Sequence, residues 1–184
     1  MESKQPHLCV AICERRLNAL ESAGTRASEV GDLVELRLDC LDEDDFNSGV
    51  DQLKKLIHNL STPTIVTYRP AEQGGSSNAN LESRYAFWTE QGLSFPSHLS
   101  DFELDIAQKF SLASESGSAT QVDWSRVICS HHDFLGVPAN LPQIYEAIAA
   151  TPARILKIAV QANDATDCLP VFHILERALK DGRE

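Results

Sequence analysis

Lys157 sits in the middle of Arg154-Ile155-Leu156-Lys157-Ile158-Ala159-Val160, a run that is otherwise apolar and β-branched apart from its first residue. Such a run reads as a strand buried on both faces. Burying an ammonium is costly unless it is paired or gives up its proton. The pleat puts Ile155, Lys157 and Ala159 on one face, so a single face is interrupted by an amine. The bland alternative is an edge-strand lysine that reaches water along its stem. Other groups give the amine company: Glu35 and Arg37 on one strand face, Arg69 at a strand end, and His132 with Asp133 in Ser130-His131-His132-Asp133-Phe134. Taken singly, each has an ordinary explanation as an ion pair, a solvated end or a structural imidazole. Together they describe a chemistry. A lysine in a water-poor site near arginines is expected to have a depressed pKa, freeing a nucleophile toward ketones or aldehydes. Histidine moves protons near neutral pH, and arginines suit a carboxylate-bearing substrate.

These side chains need elements to position them. Leu8 to Ile12 reads as a strand, followed by a helix from about Arg15 to Ala23 that Gly24 stops. Leu33 to Asp39 alternates strictly, with Val34, Leu36 and Leu38 on one face and Glu35, Arg37 and Asp39 on the other. The acids Asp42 to Asp45 open a helix whose apolar stripe is Phe46, Val50, Leu53, Ile57 and Leu60. A third strand, Thr64 to Arg69, enters a Gly/Ser/Asn-rich loop over Pro70 to Asn80, and a helix bearing Leu81, Tyr85 and Trp88 follows. Asp101 to Ile106 is a fourth, alternating strand, and Ser114 to Ala119 a polar connection. Arg126 to Ser130 is a fifth, then a helix from about Pro142 to Ala150, the lysine strand, and a helix over about Thr166 to Lys180 with Cys168, Phe172, Leu175 and Leu179 on one face.

Alternating β and α units imply a parallel sheet covered by helices. The polar faces of strands two and four favour an α/β fold of the (β/α)8 barrel type, whose inward face can line a site at the strands' C-terminal ends. A complete barrel of this kind usually needs about 250 residues. The 184 residues here supply about six of the eight βα units, in one incomplete barrel domain over 1–184, a fragment or a C-terminally shortened form. The net charge of -11 argues against a nucleic-acid surface, and no stretch has the length of a membrane span. The five cysteines are irregularly spaced, with no CxxC or zinc-ligand pattern, so reduced thiols and a cytoplasmic setting are expected. Cys9 and Cys129 lie inside apolar runs and read as small hydrophobes.

Glu35-Leu36-Arg37-Leu38-Asp39, Thr67 to Gly75, Ser130-His131-His132-Asp133-Phe134 and Lys157-Ile158-Ala159-Val160 resemble, in order and spacing, the motifs of type I 3-dehydroquinate dehydratase. The resemblance implies a (β/α)8 barrel and a carbon–oxygen lyase that converts 3-dehydroquinate to 3-dehydroshikimate in the shikimate pathway, toward chorismate and the aromatic amino acids. It implies Lys157 as the Schiff-base residue, His132 as proton donor and acceptor, and Glu35, Arg37 and Arg69 as substrate contacts, with Gln73 and Asp133 in support. His131 falls on the opposite strand face. No metal or organic cofactor is implied, because the imine itself is the electron sink. A homodimer is the expected assembly, and some members are fused to a shikimate dehydrogenase. The sequence departs from the pattern in three places. Gln73 stands where many members have a glutamate before the Gly-Gly pair, Ala11 stands for a serine, and an arginine, a serine and a glutamine of the closing units have no counterpart. Two other readings compete: a barrel that binds or assembles without catalysing, and a different Schiff-base lyase such as a class I aldolase, against which the His-Asp-Phe and Glu-x-Arg motifs argue.

Overall fold

The computed structural model describes residues 7–115 and 121–183. Its elements run β1 (Cys9–Ile12), α1 (Leu17–Ser28), β2 (Leu33–Arg37), α2 (Glu43–Ser48), α3 (Val50–Asn59), β3 (Thr64–Thr67), α4 (Leu81–Glu90), β4 (Leu99–Glu103), α5 (Leu104–Glu115), β5 (Val127–Asp133), α6 (Leu141–Ala149), β6 (Ile155–Val160) and α7 (Cys168–Lys180). The six strands form one sheet in sequence order, β1-β2-β3-β4-β5-β6. All five strand pairs are parallel. This is the strand order of a (β/α) barrel carried through six units, as the alternation of elements implied.

Register explains how one face becomes a site. Arg37 pairs with Thr67, Thr67 with Asp101, Glu103 with Ser130, and Ser130 with Lys157. With side chains alternating along each strand, Glu35, Arg37, Thr67, Asp101, Glu103, Ser130, His132 and Lys157 share the inward face. The outward face is apolar: Val34, Leu36, Val66, Phe102 and Cys129 are buried in the core with helix residues such as Leu20, Leu53, Ile106 and Ile148. An aromatic chain runs through this layer, with ring centroids 4.9 Å apart for Phe46–Tyr68, 4.8 Å for Tyr68–Phe87 and 4.8 Å for Trp88–Phe102. Such offset contacts strengthen the layer on which the polar face is mounted.

Several boundaries differ from the sequence expectation. Gly24 does not stop α1, which continues to Ser28. Gly24 is buried inside α1 and faces the Leu60 side chain, and a Cβ there would sit 3.4 Å from it, in ordinary contact. The single helix expected from the acidic run is two, α2 and α3, broken at Gly49. There a Cβ would fall 2.1 Å from Leu17 Cδ1 and 2.4 Å from the Asp45 carbonyl oxygen. Gly49→Ala is therefore expected to destabilise the fold by about 1–3 kcal/mol through overpacking, readable as a lower urea midpoint. The fourth strand ends at Glu103, and Leu104 already begins α5, so the expected strand to Ile106 was two elements. Of the expected polar connection, Ser114 and Glu115 belong to α5, and 116–120 lie outside the described residues.

Three further expectations are corrected. β6 is not buried on both faces: all six of its residues are half-buried, because it is the last strand of the sheet and only β5 pairs with it. On α7, Phe172, Leu175 and Leu179 are exposed. The half-buried residues there are Cys168, Val171, Ile174 and Ala178. Finally, Cys13 and Cys40 are joined by a disulfide that ties the end of β1 to the turn after β2, in place of the free thiols expected. Cys129 is a buried thiol, with burial the main cause pushing its pKa up to about 12, but Cys9 is exposed.

Candidate active site

Lys157 Nζ projects from β6 onto the inward face and donates to Asp101 Oδ2 at 2.9 Å, with Glu35 Oε1 at 4.0 Å. Its side chain is 32% exposed, so the amine reaches solvent on one side while a buried carboxylate holds the other. The charges in contact with it are carboxylates, and the nearby arginine, Arg69, shares one of them. Arg69, two residues past the end of β3, donates through the same terminal nitrogen to Asp101 Oδ2 at 3.1 Å and lies 3.5 Å from Glu35. Glu35 also accepts from the Thr67 hydroxyl at 2.7 Å. Two cations and two carboxylates are therefore packed together at the centre of the sheet, an arrangement that depends on each charge having its partner.

Arg37 stands at the rim. It donates to Asp39 through Nε at 2.8 Å and NH2 at 2.7 Å, the forked geometry that only arginine provides. Asp39 is a hub: it also accepts the backbone N–H of Arg69 at 3.3 Å and of Ser76 at 3.0 Å. Burial opposes its ionisation, but the Arg37 guanidinium and the backbone donors hold its carboxyl below the usual range. It therefore fixes Arg37, the end of β3 and the following loop relative to one another.

His132 is 3% exposed, and among the described residues neither ring nitrogen has a hydrogen-bond partner. Burial first, then Arg69, push its pKa down to about 3 against the pull of Asp101. The imidazole is neutral at physiological pH, with a lone pair free to accept a proton. Gln73 does not touch the ring; its Oε1 accepts the backbone N–H of His132 at 3.0 Å, pinning β5 to the loop after β3. The Gly74-Gly75 pair makes that approach possible: Gly74 adopts φ 75°, and a Cβ there would lie 2.2 Å from the Phe134 ring. Asp133 accepts from the backbone of Leu135 at 2.8 Å, shaping the turn after β5. His131 is half-buried on the outward side of β5.

Lys157, Glu35 and Arg69 thus come together, with His132 on the adjacent strand of the same face and Arg37 at the rim. Asp133 and Gln73 serve the loops around them. The residues absent from the sequence expectation are acids. Asp101 holds the lysine, Asp39 holds Arg37, and Glu103 is completely buried beside Arg84 at 3.2 Å. The signal was present in the alternation of Asp101 and Glu103 on β4, which places both on the face of Lys157. Among the described residues no group of three His, Cys, Asp or Glu side chains is arranged to hold a metal ion, and no helix is long and apolar enough to cross a membrane.

The pattern of the family described as type I 3-dehydroquinase matches residues 8–183. The chain belongs to the type I 3-dehydroquinase family. It is 31% identical over 179 residues to the bifunctional 3-dehydroquinate dehydratase/shikimate dehydrogenase, chloroplastic, of Arabidopsis thaliana, covering 95% of this chain and 28% of that protein. It is 31% identical over 156 residues to the 3-dehydroquinate dehydratase of Methanothrix thermoacetophila, covering 84% of this chain and 62% of the relative. The chain thus spans under a third of one relative and under two thirds of the other. The solved 3-dehydroquinate dehydratase from Geobacillus kaustophilus superimposes with a TM-score of 0.75 at 22% identity, over 95% of this chain and 69% of that one. The six parallel strands in sequence order are those of the barrel-type fold that the sequence implied.

One consequence of the buried charges is a pH dependence of stability for this type I 3-dehydroquinase domain. The His132 pKa is lowered from 6.5 to about 3, so the unfolded chain binds the extra proton and stability rises with pH between those values. Glu103 is the reverse: burial, then Asp101, raise its pKa from 4.5 to about 8 against Arg84, so stability falls as pH rises between those values. Each group acts with a slope of up to about 1.4 kcal/mol per pH unit. The two oppose each other from 4.5 to 6.5, giving a plateau there, with losses below it and between 6.5 and 8. In Glu103→Gln the alkaline loss is expected to disappear; urea midpoints at pH 5.5, 7 and 8 measure this.

Proposed function

We propose that this chain dehydrates 3-dehydroquinate to 3-dehydroshikimate and water through a Schiff base on Lys157, as a carbon–oxygen lyase of the shikimate pathway. The observation that carries the reading is the placement of a solvent-reachable lysine amine and a neutral, unpartnered imidazole on adjacent strands of one inward face. The relatives at 31% identity bear the name of this activity. In this scheme the free amine of Lys157 attacks the substrate ketone. One amine proton and one proton taken from solvent leave with the carbonyl oxygen as water, and the nitrogen keeps its other proton as an iminium. His132 then takes the proton from the neighbouring carbon, and the electron pair flows toward the iminium. The departing hydroxyl is protonated by the same imidazolium, and water releases the product from the lysine. Glu35, Arg37 and Arg69 supply contacts for the hydroxyls and carboxylate of the substrate, with Gln73 and Asp133 holding the surrounding loops. Only the chain's own groups are needed in this scheme.

The test is product formation: 3-dehydroquinate incubated with the purified chain, with 3-dehydroshikimate followed by NMR. Appearance of the conjugated product supports the reading, and unchanged substrate with a folded protein opposes it. A second reading, a barrel that binds or assembles without catalysing, is favoured by one observation, the exposed Leu169, Phe172, Leu175 and Leu179 on α7. That apolar face also supports the expected homodimer. The cytoplasmic expectation rests on the sequence, and the Cys13–Cys40 disulfide weighs against it because such bonds persist in oxidising compartments.

A further inference from the structure

Asp101 is an ionised acid shut away from the surface. Its side chain is fully buried, and its Oδ2 receives both Lys157 Nζ at 2.9 Å and Arg69 at 3.1 Å. Among the described residues Oδ1 has no hydrogen-bond partner. The charged and titratable groups around it come from every neighbouring strand: Lys157 on β6, His132 on β5, Glu103 on its own strand, Arg69 after β3, and Glu35 and Arg37 on β2. Burial opposes its ionisation, and Lys157 and Arg69 more than offset that, holding its carboxyl below the usual range. A carboxylate in such a place is costly unless a cation stays beside it.

We propose that Asp101 is the counter-ion of the imine nitrogen: it fixes Nζ of Lys157 and keeps the imine formed there protonated. This rests on reading Lys157 as the imine-forming residue. The balance of the step shows why one carboxylate can serve throughout. An ammonium and a ketone give an iminium and water. Two of the three ammonium protons leave with the carbonyl oxygen, the third stays on nitrogen, and the nitrogen carries one positive charge before and after. Asp101 therefore faces a cation at both ends of the step. A neutral imine would draw electrons from the neighbouring carbon far less strongly, and a neutral residue at position 101 would favour that neutral form. Arg69 shares Oδ2, so the pair is held without all of the negative charge falling on the lysine. Asp101 is thus a catalytic residue in contact with the reacting nitrogen, whereas Gln73 and Asp39 position other groups.

The variant is Asp101→Asn, with two readouts expected to move in opposite directions. Without substrate, the rate of Lys157 labelling by trinitrobenzenesulfonate at fixed pH is expected to rise about tenfold, because the ammonium loses its partner. With 3-dehydroquinate, dehydration is expected to fall about tenfold or more, because less of the imine is protonated. Asp101→Glu keeps the charge and is expected to label as slowly as wild type and to retain dehydration. Unchanged labelling in Asp101→Asn overturns the proposal, as does loss of labelling and dehydration together in a folded protein. If Asp101→Asn does not fold, Asp101→Glu decides: fast labelling, or lost dehydration with slow labelling, overturns it. The labelling arm needs no substrate, so a wild-type chain inert toward 3-dehydroquinate defeats the dehydratase reading while the Lys157–Asp101 pair is still tested.

Discussion

Lys157→Ala is expected to lower the conversion of 3-dehydroquinate by on the order of 10⁴–10⁶, to the background of substrate in buffer. The size of the effect follows from the division of labour on the inward face. In the scheme of the proposed function, every bond that breaks after substrate binds does so because the lysine nitrogen withdraws electrons. No other described lysine lies on this face of the sheet: Lys54 and Lys55 are on α3, Lys109 on α5 and Lys180 on α7. Alanine also leaves Asp101 with Arg69 as its one remaining cation within 4 Å, so some loss of stability accompanies the loss of chemistry. Lys157→Arg keeps the positive charge but cannot form the imine. A folded, inactive Lys157→Arg beside Lys157→Ala separates the two effects, with product formation by NMR as the measurement.

His132→Ala is expected to reduce dehydration by roughly 10²–10⁴, the usual worth of a positioned general base, while Lys157 still forms an imine. The imidazole is buried, neutral and unpartnered at both nitrogens among the described residues, and its environment disfavours the charged form until about pH 3. A base held neutral in this way is competent across the whole physiological range. The acid limb of kcat/KM is therefore expected to lie well below pH 6 so far as it reports His132, whereas an ordinary histidine would begin to lose activity near 6.5. The expected signature is slow turnover with undiminished trapping of substrate on Lys157. Loss of both together would assign His132 to the formation of the imine as well.

Much of this was legible in the sequence, for a physical reason. Strict alternation in Leu33 to Asp39 tells which side chains share a face, and β/α alternation tells that the sheet is parallel. Those two patterns bring Glu35, Arg37, Arg69, His132 and Lys157 to one side before any coordinate is known. What was not legible is pairing. Asp101 was one of the acids on the polar face of an alternating strand, but nothing local shows that its partner across the sheet is Lys157. Gln73, expected in support of the site, holds the backbone of His132 from the loop that carries the Gly74-Gly75 turn. Gly24 and Gly49 show the same limit from another direction: one reads as a stop and is a packing contact, the other reads as helix interior and is a break. At Gly49 the side chain opposite, Leu17, comes from a distant part of the chain. The Cys13–Cys40 bond likewise joins residues 27 apart that only the β1–β2 register brings together.

The central claim is that Lys157 forms a covalent imine with a ketone substrate, and borohydride reduction in the presence of 3-dehydroquinate tests it most directly. A stable secondary amine is expected on the peptide bearing Lys157, found by mass spectrometry of the digested chain and missing from Lys157→Arg treated in the same way. A folded wild-type chain that gives no adduct at Lys157, or gives it only with simple aldehydes and keto-sugars, would contradict the claim.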